Sequence, residues 1–404
     1  MQLTEAKRET EVFLNPDTAE PNRAPNKSNG RLRILLVGNY ALDRQHSMLS
    51  FAALMEHGLN RAGHEARTLY PPVVFGQLGQ RLPAASKWFG YVDKLLILPL
   101  LLRRAAREAD IVHICDHSNA MYVLRSRRVP YVVTCHDLLA VRGGLGEQTD
   151  CPASPMGKML QRWITRGLLR ADGIACDSTA TLGDAHRLLA GRSTPPELLP
   201  LALKYDIKPV PQDECKKRLR AISGLDPGKP FILHVGSSQR RKNREGVLRT
   251  FAKLSGRVDA QLVIAGRPLT TIQRELAAEL NILGSIVETG EIPQELLLAL
   301  YSSALVFFFP SRFEGFGWPI IEAQCSGCPV ICSNRGPLPE VAGEAALVHD
   351  VEDEEGFAAD IVRLAKDPAA RASLIEKGFE NVLRYSPEAM IAKYTSLYQR
   401  MLSY

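Results

Sequence analysis

Three groups of residues have the types and spacing that work on an anionic ligand requires. The first is Pro310-Ser-Arg-Phe-Glu-Gly-Phe-Gly-Trp-Pro-Ile-Ile-Glu322, which follows the apolar run ALVFFF. Gly315 and Gly317 let backbone approach a ligand closely. The helix that opens here leaves N–H groups unpaired and pointing outward, and Pro319 in its first turn gives up no needed donor. A strand, a glycine-bearing loop and a helix N-terminus in that order form an anion site suited to a phosphate. Glu314 in the loop and Glu322 on the helix frame it. Glu322 keeps Ile, Ala and Gln for company, and a half-buried carboxylate needs a partner: ribose hydroxyls, or the cation of a structural salt bridge. Glu314 reads either as a second functional carboxylate or as a solvated loop charge.

The second group is HVGSSQRRKN (234–243), again an apolar strand running into a glycine, Gly236, and then a cationic loop. Lys242 and Arg241, with Arg240 as an alternative, would face a diphosphate and offset its charge. Asn243 suits a helix N-cap. The third group is VVTCHDLLA (132–140), where His136 and Asp137 follow directly on a strand end; Asp177-Ser178 stand in the same position after Cys176.

The run S-R-F-E-G-F-G-W-P-I-I-E-A, its continuation S-G-C-P-V-I-C-S and the segment P-E-V-A-G-E-A-A-L (339–347) together resemble the signature of glycosyltransferase family 4. The resemblance is close to continuous over about residues 230–400 and thinner before them. It implies the GT-B architecture and a retaining transfer of a hexose-type sugar from a nucleoside-diphosphate sugar to a hydroxyl acceptor, in polysaccharide, glycan or glycolipid synthesis. It further implies that Glu322 binds the ribose, that Glu314 lies near the donor sugar, and that the amides of Gly315, Phe316 and Gly317 cup sugar and diphosphate. Lys242 would grip the phosphates beside Arg241 and Gly236, and His136, next to Asp137, would contact the donor sugar through its ring or backbone. Two departures stand out. Ser237 occupies a position where many relatives have an arginine, and the opening loop VGNYALDRQHSM (37–48) carries one glycine where many have a pair. Asn39, Arg44, Gln45 and His46 of that loop are therefore read as acceptor-side candidates.

These loops need strands and helices to hold them. From residue 32, short β-branched runs alternate with longer helical stretches, the pattern of parallel α/β units. Strands are expected near Leu32–Val37, Ala66–Leu69, Asp110–Cys115, Tyr131–Cys135 and Gly173–Cys176. A second series is expected at Phe231–Val235, Gln261–Ala265, Ile286–Thr289, Ala304–Phe309 and Val330–Ser333. Amphipathic stretches at Met48–Ala62 and Gly157–Arg170 supply helices. The fold class is α/β, with two Rossmann-like, doubly wound domains, and every motif above falls at a strand's carboxyl end, where such sheets bind ligands. The organisation expected is a disordered tail (1–30), an acceptor-binding domain (31–205), a nucleotide-sugar domain (206–385) and a C-terminal helix (386–404) across the junction.

The chain has 404 residues, 45% hydrophobic and 23% charged, enough for two full cores, with a formal net charge of +6. That balance suits phosphate-bearing ligands or an anionic membrane face, and no nucleic-acid partner is expected. No apolar leader opens the sequence, so the eight cysteines read as reduced thiols and the location as cytoplasmic. Cys325 and Cys328 form a C-x-x-C with no second pair at zinc-site spacing. No D-x-D element occurs and the cations already match phosphate charge, so neither metal nor cofactor is expected. The missing G-x-G-x-x-G after the first strand disfavours a dinucleotide dehydrogenase. A GT-B nucleotide-sugar epimerase and a non-catalytic nucleotide-sugar-binding module remain as alternatives. The segment 87–107 holds LLILPLLL between Trp88, Lys87, Lys94, Arg103, Arg104 and Arg107. It reads either as a helix buried against the first sheet or as a basic helix at the inner face of an anionic membrane, near a lipid-linked acceptor.

Overall fold

Short runs of Val, Ile, Leu and Phe with no polar alternation suit parallel strands covered by helices on both faces, and here they form two separate sheets. The computed structural model describes residues 30–43, 45–79, 86–124, 128–204 and 206–403. The tail expected at 1–30 lies outside these residues except for Gly30, as does Arg44. The first sheet contains β1 (Arg33–Val37), β2 (Glu65–Leu69), β3 (Ile111–Ile114), β4 (Tyr131–Cys135), β5 (Gly173–Cys176) and β6 (Glu197–Leu198). The second contains β7 (Phe231–Val235), β8 (Gln261–Ala265), β9 (Ile286–Gly290), β10 (Val306–Phe309), β11 (Val330–Ser333) and β12 (Ala346–His349). Their orders are β2-β1-β3-β4-β5-β6 and β12-β11-β10-β7-β8-β9, and every named pair is parallel.

Each order reverses once, between β1 and β3 and between β7 and β10, and a crevice opens beyond the carboxyl ends of the strands at such a point. Two strands were not read from the sequence. β6 is two residues long, and β12 (ALVH) is a half-exposed edge strand without a buried run.

The helices that matter below are α1 (His46–Arg61), α2 (Leu98–Ala105), α3 (Pro155–Arg170), α4 (Thr179–Leu188), α5 (Arg244–Ala252), α6 (Trp318–Cys325) and α7 (Pro387–Leu402). Leu98 and Leu102 of α2, Ile164 and Leu168 of α3 and Ala185 of α4 share one core with Leu35, Val133 and Ile174, so these helices cover one face of the first sheet. Phe51 and Met55 of α1 belong to the opposite core.

That second core continues through Leu199, Leu201 and Ala202 into the other domain and takes in Tyr394 and Tyr398 of α7. Thus α7 leaves the second domain and lies on the first. Tyr394 Oη is 2.9 Å from Thr134 Oγ1, and Tyr398 Oη is 2.7 Å from His113 Nδ1. Burial holds His113 neutral, its pKa pushed down to about 3, so one ring nitrogen donates and the other accepts between Tyr398 and Thr134.

The segment 87–107 forms the helix Ser86–Val92, a π-turn at Asp93–Ile97 and then α2. The buried Asp93 anchors the turn by accepting from the amides of Phe75 and Gly76, each at 2.9 Å, and from Tyr40 Oη at 2.7 Å. The segment is buried on one side only: Leu98 and Leu102 are buried against the first sheet, whereas Leu96 and Leu100 are 64% and 66% exposed. No helix among the described residues is long and apolar enough to cross a membrane.

Candidate functional site

The loop after β10 descends to Glu314 and turns into α6 through Gly317, whose φ of +115° is a left-handed value that a side chain would strain. Glu314 is buried and accepts from Lys242 Nζ at 2.7 Å and from Arg241 Nη1 at 2.9 Å. Burial alone would raise its pKa, but Lys242 and then Arg241 outweigh that and hold the carboxyl below its ordinary range. Burial is also the largest influence on Lys242 and lowers its pKa, with Glu314 opposing. The Lys242 stem lies along Gly236, and its ammonium sits 4.7 Å from the centroid of the Phe309 ring. Two strand ends at the switch point between β7 and β10 thus deliver two cations onto one carboxylate.

Arg240 turns the other way: its side chain is exposed and its Nε lies 3.8 Å from Asp150 of the first domain. Arg241, not Arg240, therefore shares the buried cluster. Asn243 takes the N-cap position of α5 in a left-handed conformation (φ 52°), but its side chain caps nothing and reaches Val351 O instead. Phe316 turns its ring into the core beside Trp318 and Tyr385, so only its backbone belongs to the loop.

Glu322, one turn into α6, does have a cationic neighbour, and it is a lysine. Lys204 Nζ is 3.9 Å from Glu322 Oε1 and sits 3.9 Å from the centroid of the Trp318 ring. Lys204 comes from the segment joining the domains, and burial lowers its pKa. Nothing in the sequence separated it from other linker lysines, because the contact spans more than a hundred residues.

Across the cleft, His136 follows directly on β4. The ring is buried edge-on to Phe51; Nδ1 lies 3.3 Å from Asp177 Oδ2 and Nε2 lies 2.9 Å from Cys115 O. A carbonyl can only accept, so Nε2 carries a proton. Burial alone would lower the His136 pKa, but Asp177 raises it, and burial raises Asp177 to about 6. The ring thus donates inward from Nε2 to Cys115 O and turns Nδ1 to the Asp177 carboxyl. The backbone carbonyl of His136 faces the other domain instead, and a Cβ placed on Gly315 would lie 2.0 Å from it. Asp137 Oδ1 accepts from the amide of Leu139 at 3.0 Å and shapes the following turn. Ser178 caps α4 and donates to Gly315 O at 2.9 Å, while the amide of Thr179 donates to Glu340 at 3.0 Å, so the two domains touch along this line.

The acceptor-side candidates separate. Asn39 is buried and donates to Asp116 Oδ2 at 2.7 Å and to Gln45 Oε1, and its own Oδ1 accepts from Asn119 at 3.0 Å. Gln45 and His46 are exposed at the start of α1. Asp116 and His117 were missed. They follow β3 in I-C-D-H just as His136 and Asp137 follow β4 in T-C-H-D, and that parallel was the available signal. Despite burial, His117 and His136 hold the Asp116 carboxylate far below its usual range. Beside this line an interdomain cavity of about 430 Å³ is lined by Arg142, Thr149 and Asp150 on one side and by Arg240, Arg312 and Phe313 on the other. Among the described residues no cluster of three or more His, Cys, Asp or Glu side chains could hold a metal, and Cys325 donates to Ile207 O.

Residues 216–381 match the family model described as glycosyl transferases group 1, and residues 51–200 match the one described as glycosyltransferase family 4. The chain is 33% identical over 192 residues to the O-antigen chain mannosyltransferase B of Escherichia coli, covering 46% of this chain and 50% of that protein. It thus spans about half the length of that relative. Over 377 residues it is 22% identical to the N-acetyl-alpha-D-glucosaminyl L-malate synthase of Bacillus anthracis, covering 91% and 92% of the two chains. The HepE protein of Anabaena, solved with UDP-glucose, superposes with a TM-score of 0.68 at 14% identity, covering 92% of this chain and 100% of the other. That last likeness speaks for the fold alone.

Proposed function

The chain belongs to glycosyltransferase family 4 and has the GT-B fold, and from that premise we propose that it moves a hexose-type sugar from a nucleoside-diphosphate sugar to the hydroxyl of a glycan or lipid-linked acceptor, with retention and without a metal. The observation that carries this reading is the buried cluster of Lys242, Arg241 and Glu314 beside the N-terminus of α6, opposite the His136 carbonyl. A diphosphate arriving there takes over the two cations that Glu314 holds in the free protein and adds the amides at Gly317. Glu314 is then released toward the sugar. In the transfer the bond between the anomeric carbon and the phosphate oxygen breaks and its electron pair stays on the diphosphate, whose new charge Lys242 and Arg241 stabilise. The acceptor oxygen bonds to that carbon, and its proton leaves with the phosphate or to solvent.

His136 works through its backbone: its ring, held between Asp177 and Cys115 O, fixes the strand end so that the carbonyl meets the sugar. The family resemblance supports retention, and Glu322 is assigned to the ribose with Lys204 as its neighbour. The interdomain cavity is of the size of small-molecule sites, which run from about 300 Å³ upward, and it is assigned to the acceptor. Incubation with a panel of nucleotide-sugars, with and without hydroxyl acceptors, tests the reading. Diphosphate release coupled to a glycoside whose anomeric proton keeps the donor's configuration is expected. An altered free sugar formed without acceptor would make it an epimerase, and binding without turnover would make it a binding module.

A further inference from the structure

We infer that the outer face of the α2–α3 helix layer docks on an anionic lipid bilayer, holding the enzyme where a membrane-anchored acceptor presents its hydroxyl. What this says of the acceptor rests on the transfer reading; the surface itself does not. The sequence of α3, PMGKMLQRWITRGLLR, has four cations and no acid. Its inner side is committed: Ile164 and Leu168 are in the core, and a Cβ on Gly167 would lie 1.9 Å from Ala120 O. Its outer side alternates Met156, Met159, Trp163 and Leu169, all exposed, with exposed Lys158, Arg162 and Arg166. On α2, Leu100 and Leu101 are exposed beside Arg103 and Arg104, with Trp88 and Leu96 on the turns before.

Both helices cover the same face of the first sheet. In a parallel sheet a crossover starts at a strand's carboxyl end, so the β2–β3 and β4–β5 crossovers that carry α2 and α3 both leave the sheet on the cleft side. Several arginines elsewhere in this domain are paired: Arg33 with Asp110, Arg67 with Glu108, Arg142 and Arg187 with Glu147 and Asp184. On this face Arg103, Arg104, Lys158, Arg162 and Arg166 have no ion-pair partner among the described residues, and the one acid between 86 and 107, Asp93, is buried. Exposed aromatic and aliphatic side chains interleaved with unneutralised cations match the headgroup region of an anionic leaflet, which takes up both. A second copy of the chain fits badly, because a two-fold contact must be self-complementary and this one would set cations against cations. A nucleic acid would use the cations but leave the exposed leucines and methionines in water.

The test is co-sedimentation of the full chain with phosphatidylglycerol-containing vesicles and with phosphatidylcholine vesicles, at low and high salt. Wild type should bind the anionic vesicles only, and lose them at high salt. Arg162→Glu with Arg166→Glu should lower that affinity at least ~25-fold, roughly fivefold per cation. Met159→Ser with Trp163→Ser should lower it too. Both variants should keep the wild-type melting temperature and rate of donor hydrolysis, while KM rises for a vesicle-embedded acceptor only. Wild type that ignores anionic vesicles at low salt, binds neutral ones equally, or uses this face to dimerise or to bind nucleic acid overturns the proposal. Donor hydrolysis without vesicle binding would overturn the membrane face and leave the transfer reading standing; vesicle binding without any donor turnover would do the reverse.

Discussion

Replacing Lys242 with methionine isolates the charge on which the proposed chemistry depends. Methionine keeps an aliphatic stem against Gly236 and beside the Phe309 ring and removes only the ammonium. A unit charge about 4 Å from a developing phosphate charge, at an effective dielectric near 20, is worth about 4 kcal/mol before desolvation. Loss of one such stabiliser in comparable sites lowers turnover by ~100- to 1,000-fold. Lys242→Met should therefore lower kcat by at least ~100-fold, measured as diphosphate release at saturating donor, while the protein stays folded.

The same change strips Glu314 of one of its two cations, leaving Arg241. Its folded pKa lies below the unfolded value, so the carboxylate contributes stability that is present above the ordinary Glu range and is lost as pH falls through the folded pKa. The substitution should consequently lower the melting temperature most near neutral pH, and the gap from wild type should narrow as pH drops below the ordinary carboxylate range. A folded Lys242→Met enzyme within ~10-fold of wild-type turnover would refute the electrostatic assignment, and a melting gap independent of pH would refute the coupling to Glu314.

Glu322→Gln should weaken nucleoside diphosphate binding by about 1.5–3 kcal/mol, as for a hydrogen bond to a charged group; unchanged affinity by calorimetry would make Glu322 a structural partner of Lys204. Gly315→Ala places a methyl 2.0 Å from the His136 carbonyl, where neither backbone can yield without parting the domains. Activity should fall steeply and small-angle scattering should show a larger radius of gyration, whereas wild-type scattering and rate would show that the two loops do not meet in solution. Activity should survive excess EDTA; loss in chelator with recovery on magnesium or manganese would contradict a metal-independent transfer.

Much of the scaffold was legible because its strands are buried on both faces. Tyr131–Cys135, Gly173–Cys176, Phe231–Val235, Gln261–Ala265 and Val330–Ser333 need no partner to announce themselves as apolar runs, and they occupy the expected residues. β6 and β12 carry no such run, since an edge strand that is short or half-solvated has little hydrophobic pattern to show. The glycine loop was legible for a similar reason: Gly317 marks backbone that side chains would strain, and it does take a left-handed φ.

What depended on three dimensions was the direction of each side chain. The tandem Arg240-Arg241 offers two identical cations, and only packing of the Lys242 loop against the Glu314 loop sends one into the buried cluster and the other toward Asp150. His136 was visible as a residue at a strand end, but not the inward turn of its ring to Asp177 and Cys115 O, which leaves its carbonyl to face Gly315. Lys204 reaches Glu322 from the interdomain segment, and α7 returns over the first sheet, through contacts that local pattern does not encode. The sequence by itself determined which residues lie at strand ends, because backbone conformation and apolar periodicity are local. The tertiary structure decided which of them meet, because burial and ion pairing depend on segments far apart in the chain.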